Sequence, residues 1–285
     1  MKSMPRRHPE WIKVKAPGSP NYLRLKRILR QKNLHTVCEE ARCPNIGECW
    51  GNKTATFLIL GDTCTRGCRF CAIDKGKPVA LDPEEPRNVA LVVKDLGLDH
   101  IVVTSVNRDD LPDGGAAHFA KTVFWIKTLN PQIRVELLIP DFDGNLQALK
   151  TVLESAIEIL NHNIETVPRL YGKVRPGHTY ECSLNILTEA KRFRHDVLTK
   201  SGLMLGVGET YDEVIATLQE LREKKVDIVT LGQYLQPSNR QLKVDRYVTP
   251  DEFKEFRMVG ERLGFRHVES GPLVRSSYHA WSHVG

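Results

Sequence analysis

Thr56-Phe57-Leu58-Ile59-Leu60-Gly61-Asp62-Thr63-Cys64-Thr65-Arg66-Gly67-Cys68-Arg69-Phe70-Cys71 is the stretch on which the reading of this chain turns. Its apolar start, Thr56 to Leu60, reads as a buried strand, and that strand runs straight into three cysteines spaced C-x3-C-x2-C. A structural zinc site closes on four protein ligands, whereas a cluster iron held by only three thiolates keeps a coordination position open for a ligand or substrate. The spacing therefore points to chemistry at an open metal position on a loop leaving a strand.

Downstream, short β-rich runs alternate with helical patterns. Strands are expected near 55–60, 100–104, 133–139, 157–161, 200–205 and 227–231, and helices near 86–96, 115–129, 145–154, 181–194, 211–225 and 250–263. Repeated β-then-α units imply parallel strands with right-handed crossovers, and six strands favour an incomplete barrel. Thr210 with Glu213 and Thr249 with Glu252 read as capping boxes, Pro250 suits a first helical position, and Gly97 suits a helix end. In such folds the loops at the C-terminal strand ends form the ligand rim. That rim is expected to gather Thr104 to Asp110, Asn161 to Thr166, Gly206 to Thr210 and Gln233 to Pro237 over the three sulfurs. Asn163 and Glu165 have the chemistry to hold a ribose or an amino group, and only their place at a strand end lifts them above ordinary loop polars. Gly206-Val207-Gly208-Glu209 lacks the third glycine of a nucleotide fingerprint and reads as a tight turn. His100 and His162 read as ordinary surface or satisfied histidines, and Cys182 as a small buried residue.

Upstream, Pro5, Pro9, Pro17 and Pro20 deny regular structure to residues 1–20, which read as an extended arm over a body. Tyr22, Leu25, Ile28 and Leu29 recur at helical spacing. There follows Cys38-Glu39-Glu40-Ala41-Arg42-Cys43-Pro44-Asn45-Ile46-Gly47-Glu48-Cys49-Trp50, a C-x4-C-x5-C set that Pro44 and Gly47 are expected to fold into a loop turning sulfurs inward. Zinc shared between the two cysteine sets, with His35, is the competing reading.

Seven cysteines are present, six of them between Cys38 and Cys71. Without a secretory context, clustered cysteines argue for metal in a reducing compartment rather than for disulfides. No apolar run approaches the ~18 residues of a membrane span, and the polar, proline-interrupted N-terminus does not read as a signal peptide. The net charge is +6, and up to Lys32 ten basic residues face one acid, Glu10. Such an arm suits an acidic protein or a nucleic acid as well as plain solvent. Past the strand-like run Phe265 to Val268, Ser270-Gly271-Pro272-Leu273-Val274-Arg275-Ser276-Ser277-Tyr278-His279 has no period and suits a tail that packs on something.

Taken together, these motifs resemble the radical S-adenosylmethionine superfamily and, within it, the lipoyl synthase family. Cys64-x3-Cys68-x2-Cys71, with Phe70 before the last cysteine, is similar to the superfamily signature. Ala41 to Trp50, Asp110-Leu111-Pro112-Asp113-Gly114-Gly115, Asn163 to Tyr171, Lys200-Ser201-Gly202 and Arg275-Ser276-Ser277-Tyr278 resemble the family, from about Trp11 to His279. The resemblance implies a partial (β/α)6 TIM-type barrel over 54–264. An N-terminal cluster-binding extension over 1–53 and a C-terminal tail over 265–285, packed on the barrel opening, flank it. It implies two 4Fe-4S clusters. Cys64, Cys68 and Cys71 hold the one that chelates S-adenosylmethionine and yields a 5′-deoxyadenosyl radical. Cys38, Cys43, Cys49 and a tail serine, Ser277 chosen over Ser276, hold an auxiliary cluster that donates sulfur. The implied reaction inserts sulfur at C6 and C8 of an octanoyl chain on a carrier lysine. A weakly held Ser277 would suit a cluster meant to be dismantled. Phe70, Thr104, Asn163, Glu165 and Arg175 are expected to contact S-adenosylmethionine.

The expected partners are octanoylated carrier domains, namely 2-oxoacid dehydrogenase E2 subunits and the glycine cleavage H protein. A flavodoxin or ferredoxin donor and a cluster-repair carrier complete the set, in the cytoplasm, with no membrane or nucleic acid. Arg24, Lys26 and Arg27 are the expected docking charges. The alternatives are another radical S-adenosylmethionine sulfur-inserting enzyme and a zinc-stabilised nucleic-acid-binding protein. Two departures from the family pattern, Gln236-Pro237-Ser238-Asn239-Arg240-Gln241 and Glu269, are expected to mark a shifted carrier preference.

Overall fold

Alternating β-rich and amphipathic runs become alternating strands and helices because each strand needs a helix to cover its outer face. The computed structural model describes residues 8–52, 54–278 and 280. Basic residues Lys2, Arg6 and Arg7, and His279, lie outside them. In chain order come α1 (Pro20–Gln31), β1 (His35–Thr36), α2 (Val37–Glu40), α3 (Ile46–Gly51), β2 (Thr56–Ile59), β3 (Thr63–Cys64), β4 (Asp74–Lys75), α4 (Glu85–Leu96) and β5 (His100–Ser105). There follow α5 (Ala116–Leu129), β6 (Arg134–Leu138), α6 (Leu146–Leu153), β7 (Ile159–Asn161), α7 (Tyr171–Val174), α8 (Tyr180–Phe193), β8 (Leu198–Leu205), α9 (Tyr211–Glu223), β9 (Ile228–Gln233), α10 (Pro250–Leu263) and β10 (His267–Gly271).

The main sheet has the order β1-β2-β5-β6-β7-β8-β9-β10. The six expected strands, β2 and β5 to β9, lie within two residues of their expected bounds and pair in parallel. The expectation of six falls short at both ends. β10 adds a further parallel strand on β9, and the two-residue β1 pairs antiparallel with β2. The strand-like run Phe265 to Val268 meets β10 only at His267 and Val268, the latter its one buried residue, and β1 is too short for any period. β1 and β10 stay apart as free edges among the described residues, so the barrel is open. They also lie beyond the 53/54 and 264/265 divisions, which follow changes in chemistry rather than breaks in the sheet.

Apolar side chains pack in two groups. Phe57, Ile59, Val103 and Val135 meet α4, α5 and α6, while Val229, Leu231 and Leu205 meet α9 and α10. Inside the lower barrel, Lys200 and Glu136 are fully buried. Lys200 Nζ donates to Glu136 at 2.8 and 3.1 Å, and Asn161 Nδ2 donates to it at 2.8 Å. Both capping boxes form, at Thr210–Glu213 and Thr249–Glu252.

The Cys38–Trp50 segment is not the loop expected. It is two short helices, α2 and α3, with Thr36 capping the first by accepting from Glu39 N–H at 3.3 Å. Gly47 does not turn the chain; it lies inside α3, where a Cβ would meet the Lys15 carbonyl oxygen at 2.3 Å. The N-terminal arm thus lies directly on the second cysteine set. His100 is buried rather than on the surface, and neither ring nitrogen has a hydrogen-bond partner; the Glu136 carboxylate stands 3.7 Å from Nε2. Cys182 is half-buried rather than buried, because it sits in the first turn of α8, capped by Thr179.

Candidate active site

The first cysteine loop begins at a strained residue. Leu60, at the end of β2, has φ +71° and Gly61 has φ +92°, a left-handed pair that costs a leucine of order 1–3 kcal/mol unless its surroundings impose it. They do. Glu85 Oε2 accepts the Leu60 N–H at 2.9 Å and lies 2.7 Å from His118 Nε2. Arg108 Nη1 donates to the Leu60 carbonyl at 3.1 Å while its other nitrogens hold Asp110 at 2.8 Å. Gly115 fits over Leu60 only for want of a side chain, since a Cβ there would stand 2.4 Å from Leu60 Cδ1. The segment Asp110 to Gly115 is therefore the brace of the loop's launching turn.

Beyond that turn, the loop is tied to three neighbours. Thr65 N–H donates to the Asn107 carbonyl at 3.1 Å, Arg69 N–H to Val174 at 2.9 Å, and Leu242 N–H to the Arg69 carbonyl at 2.9 Å. Gln241 Nε2 donates to the Cys71 carbonyl at 3.1 Å. Cys64 Sγ accepts from the N–H groups of Arg66 and Asn107, both at 3.4 Å.

A second hollow is lined by Cys38, Cys43, Cys49, Thr56, Arg275 and Ser277. It lies where the tail crosses the open side of the sheet. Asn45 Nδ2 donates to the Leu273 carbonyl at 2.7 Å, Tyr278 OH to Glu48 at 3.1 Å, and Thr56 Oγ1 to Ser277 Oγ at 2.7 Å. Ser276 is turned away from this hollow and bonded to Asn163.

Both triads meet one cavity of about 1110 Å³. Its lining includes Cys38 and Cys43 from the second set and Cys64, Cys68 and Cys71 from the first. Phe70, Thr104, Asn163, Glu165 and Arg175 also line it. Asn163 and Glu165 are aimed by a bulge: four steps from Asn161 to Glu165 face three from Lys200 to Leu203, and the extra residue re-aims the side chains. Glu165 sits at φ +68°. Burial raises its carboxyl above the ordinary range, against the pull of Arg175 and Asn163.

Of the expected rim, Gly206 to Thr210 does not line the cavity. Its glycines are spent on a tight turn that Glu209 closes by accepting from Gly206 and Val207 N–H. Gln236 to Ser238, Arg240 and Gln241 do line it; Glu269 instead faces Arg257 and His267. Arg24 donates to the Asp95 carbonyl at the end of α4, and Arg24, Lys26 and Arg27 are all absent from the cavity wall.

Asp141, which carried no sequence signal, gathers Arg66, Arg175 and His178 around it. Asp141 is buried, and although burial alone would raise its carboxyl, His178 and Arg66 hold it well below the usual range. Arg66 bridges Asp141 and Asp109. Arg175 reaches Asp141 at 3.2 Å, Tyr171 OH at 2.6 Å and Ser183 Oγ at 3.0 Å. His162 Nε2 lies 2.8 Å from Ser183 Oγ and its Nδ1 2.9 Å from the Ile139 carbonyl, so it is a satisfied core residue as expected. Acid and base partners so far apart in sequence leave no local pattern to read.

The donor sets suit clusters. Burial, together with the neighbouring cysteines, pushes the Cys38, Cys49 and Cys71 thiols up to about 12. Thiolates packed this way need a cationic centre to be stable as anions. The buried Trp50 Nε1 and Asn45 Oδ1 beside the second hollow are also without full hydrogen-bond partners, and the indole opposes part of the rise at Cys38.

The family model of the Radical SAM superfamily matches residues 58–221, and that of the N-terminal domain of lipoyl synthase of the Radical SAM family matches residues 1–43. A lipoyl synthase of Roseiflexus sp. is 58% identical over 278 residues, covering 98% of this chain and 92% of its own. Another, from Caldanaerobacter subterraneus, is 54% identical over 274 residues, 96% of each chain. The mitochondrial lipoyl synthase of Bos taurus is 54% identical over 281 residues, covering 96% of this chain and 76% of its own. In fold, the chain is similar to Streptococcus suis SuiB bound to S-adenosylmethionine (TM-score 0.55, 12% identity, 72% of this chain and 45% of that one). It is similar also to HydG, a maturase of the [FeFe]-hydrogenase (TM-score 0.57, 16% identity, 93% and 64%).

Proposed function

The chain belongs to the lipoyl synthase family of the radical SAM superfamily, and from that membership we propose how its residues divide the family reaction among themselves. The enzyme inserts two sulfur atoms, at C6 and C8 of an octanoyl chain on a carrier-protein lysine, using S-adenosylmethionine and 4Fe-4S clusters. Family membership sets aside the zinc-stabilised nucleic-acid-binding alternative. An unactivated C–H bond gives acid-base catalysis nothing to act on, so bound groups supply the 5′-deoxyadenosyl radical and the sulfur.

In our reading, Cys64, Cys68 and Cys71 hold the radical-generating cluster, and Cys38, Cys43, Cys49 and Ser277 the auxiliary one. The Phe70 backbone, Thr104, Asn163, Glu165 and Arg175 receive S-adenosylmethionine. One observation carries this reading: both cysteine sets face a single cavity. Leu58, Val106, Leu138, Ile139, Leu203 and Met204 supply its apolar wall, suited to an eight-carbon chain and to excluding water from a radical. The protein's own work is position and exclusion.

A carrier domain then docks over the mouth. Arg42, Arg69, Lys75 and Arg240 line the cavity and are exposed, and we assign docking charge to them at the mouth, with Arg24, Lys26 and Arg27 standing away from the cavity wall. E2 lipoyl domains and the glycine cleavage H protein are the carriers we assign, with a flavodoxin or ferredoxin as electron donor and a separate carrier rebuilding the auxiliary cluster. No described helix is long and apolar enough to cross a membrane, and reduced clustered cysteines suit the cytoplasm.

The test is incubation of the anaerobically purified enzyme with S-adenosylmethionine, reductant and an octanoyl-lysyl peptide, followed by mass analysis. Two added sulfurs are expected; an unchanged peptide mass alongside intact clusters would count against the assignment.

A further inference from the structure

The tail presents two adjacent serines, and each has a different partner. Ser277 Oγ accepts from Thr56 Oγ1 at 2.7 Å in the hollow of the second cysteine set. Ser276 Oγ lies 2.7 Å from Asn163 Nδ2 and 3.0 Å from Asn163 Oδ1. Asn163 Nδ2 in turn donates to Glu165 Oε1 at 3.2 Å. The serines cannot move independently. Tyr278 N–H donates to the Arg275 carbonyl at 2.9 Å, closing a four-residue turn with Ser276 and Ser277 as its central pair.

A second feature is fitted to this contact. A Cβ at Gly202 would stand 2.8 Å from Asn163 Oδ1, 3.3 Å from Ser276 Oγ and 2.7 Å from Thr230 Oγ1. The missing side chain is what leaves room for serine and amide to meet. Its neighbour Ser201 accepts the Ile164 N–H at 3.0 Å, and the Gly202 carbonyl accepts the Glu165 N–H at 2.9 Å. Lys200-Ser201-Gly202 thus shapes the bulge that carries Asn163 and leaves space for the tail against it.

We propose that Ser276 is a positioning residue that couples the Asn163–Glu165 pocket to Ser277, so that a ligand in that pocket alters how Ser277 is held at the second cysteine set. This rests on the assignment of Asn163 and Glu165 to S-adenosylmethionine and of Ser277 to the auxiliary cluster. The physical argument is competition for one amide. Asn163 already divides its amide between Ser276 and Glu165, and an ammonium or hydroxyl group arriving at the pocket needs the same oxygens. Whatever contact Ser276 loses or gains is passed through the closed turn to Ser277. The link lets the enzyme release a ligand of its sulfur source only when the radical precursor is in place.

The experiment follows the auxiliary cluster in the holoenzyme. Its reduced-state electron paramagnetic resonance signal is the one that Cys38→Ala/Cys43→Ala/Cys49→Ala lacks. Adding S-adenosylmethionine is expected to shift that signal in the parent enzyme. Ser276→Ala is expected to keep the same iron content and bind S-adenosylmethionine within about twofold, yet lose the shift. Gly202→Ala, which crowds the Ser276–Asn163 contact while leaving both serines in place, is expected to lose it as well. A shift that persists in Ser276→Ala, or one absent from the parent despite normal binding, would overturn the coupling. Undiminished S-adenosylmethionine binding in both Asn163→Ala and Glu165→Gln would overturn the ligand assignment beneath it, and the coupling with it.

Discussion

Leu60 is held in its left-handed conformation at both ends of its peptide, by Glu85 on the N–H and Arg108 on the carbonyl. Glu85→Ala leaves a buried N–H without a partner, a loss of ~1–3 kcal/mol, and lets the launching turn relax. Its melting temperature should fall, and iron bound at Cys64, Cys68 and Cys71 should fall further than that at the second set, read from the two signals separately. Gly115→Ala should act in the same direction, because its Cβ meets Leu60. His162 makes a different prediction. Burial, with the charge of Arg175, lowers its pKa from 6.5 to about 4. The unfolded chain therefore takes up a proton near pH 6.5 that the folded chain refuses until about pH 4, and stability declines across that window as pH drops, by at most ~3 kcal/mol. Melting temperatures recorded from pH 7.5 to 4.5 should show a slope that His162→Gln flattens. At this scale, the cysteines were legible because a ligand set on one loop leaves a fixed spacing. Glu85, Arg108 and Asp141 were not, because each acts on a residue brought to it only by the sheet.

Among the elements, the tail depends on β9. A Cβ at Gly232 would stand 2.0 Å from the Val274 carbonyl oxygen, backbone against backbone, so no rotamer can relieve it. Gly232→Ala should lift the tail, expose residues near 272–278 to limited proteolysis, and lower iron from about eight to about four per chain by the two-cluster reading. Retention of the full iron content together with protease resistance would show that the tail tolerates the shift. The six central strands and their covering helices were readable from periodicity, since each buries a continuous apolar run between two layers. α2 and α3 were not, because four and six residues are too few for a helical period and are held by the arm and tail instead. β10 was legible only in its first two residues, within the strand-like run Phe265 to Val268, because Glu269 and Ser270 beyond them are polar and the strand pairs on one side alone among the described residues.

At the scale of the whole molecule, the mouth of the cavity carries cations without carboxylate partners among the described residues. Lys75→Glu and Arg240→Glu should raise KM for an acylated carrier domain roughly tenfold at low salt, with the difference shrinking at high salt. The same variants should treat a short, uncharged octanoyl-lysyl peptide as the parent does. Equal losses on both substrates would place these residues in the chemistry rather than in docking. The architecture also has a consequence in time. The first cysteine loop is complete once the strands around it exist, whereas the second hollow takes cysteines from one end of the chain and Ser277 from the other, with Thr56 and Ser277 separated by 221 residues. At ~5–20 residues per second of synthesis, roughly 10–40 s pass between them. The thiols of Cys38, Cys43 and Cys49 therefore leave the ribosome that long before Ser277, which lines the same hollow, has been made.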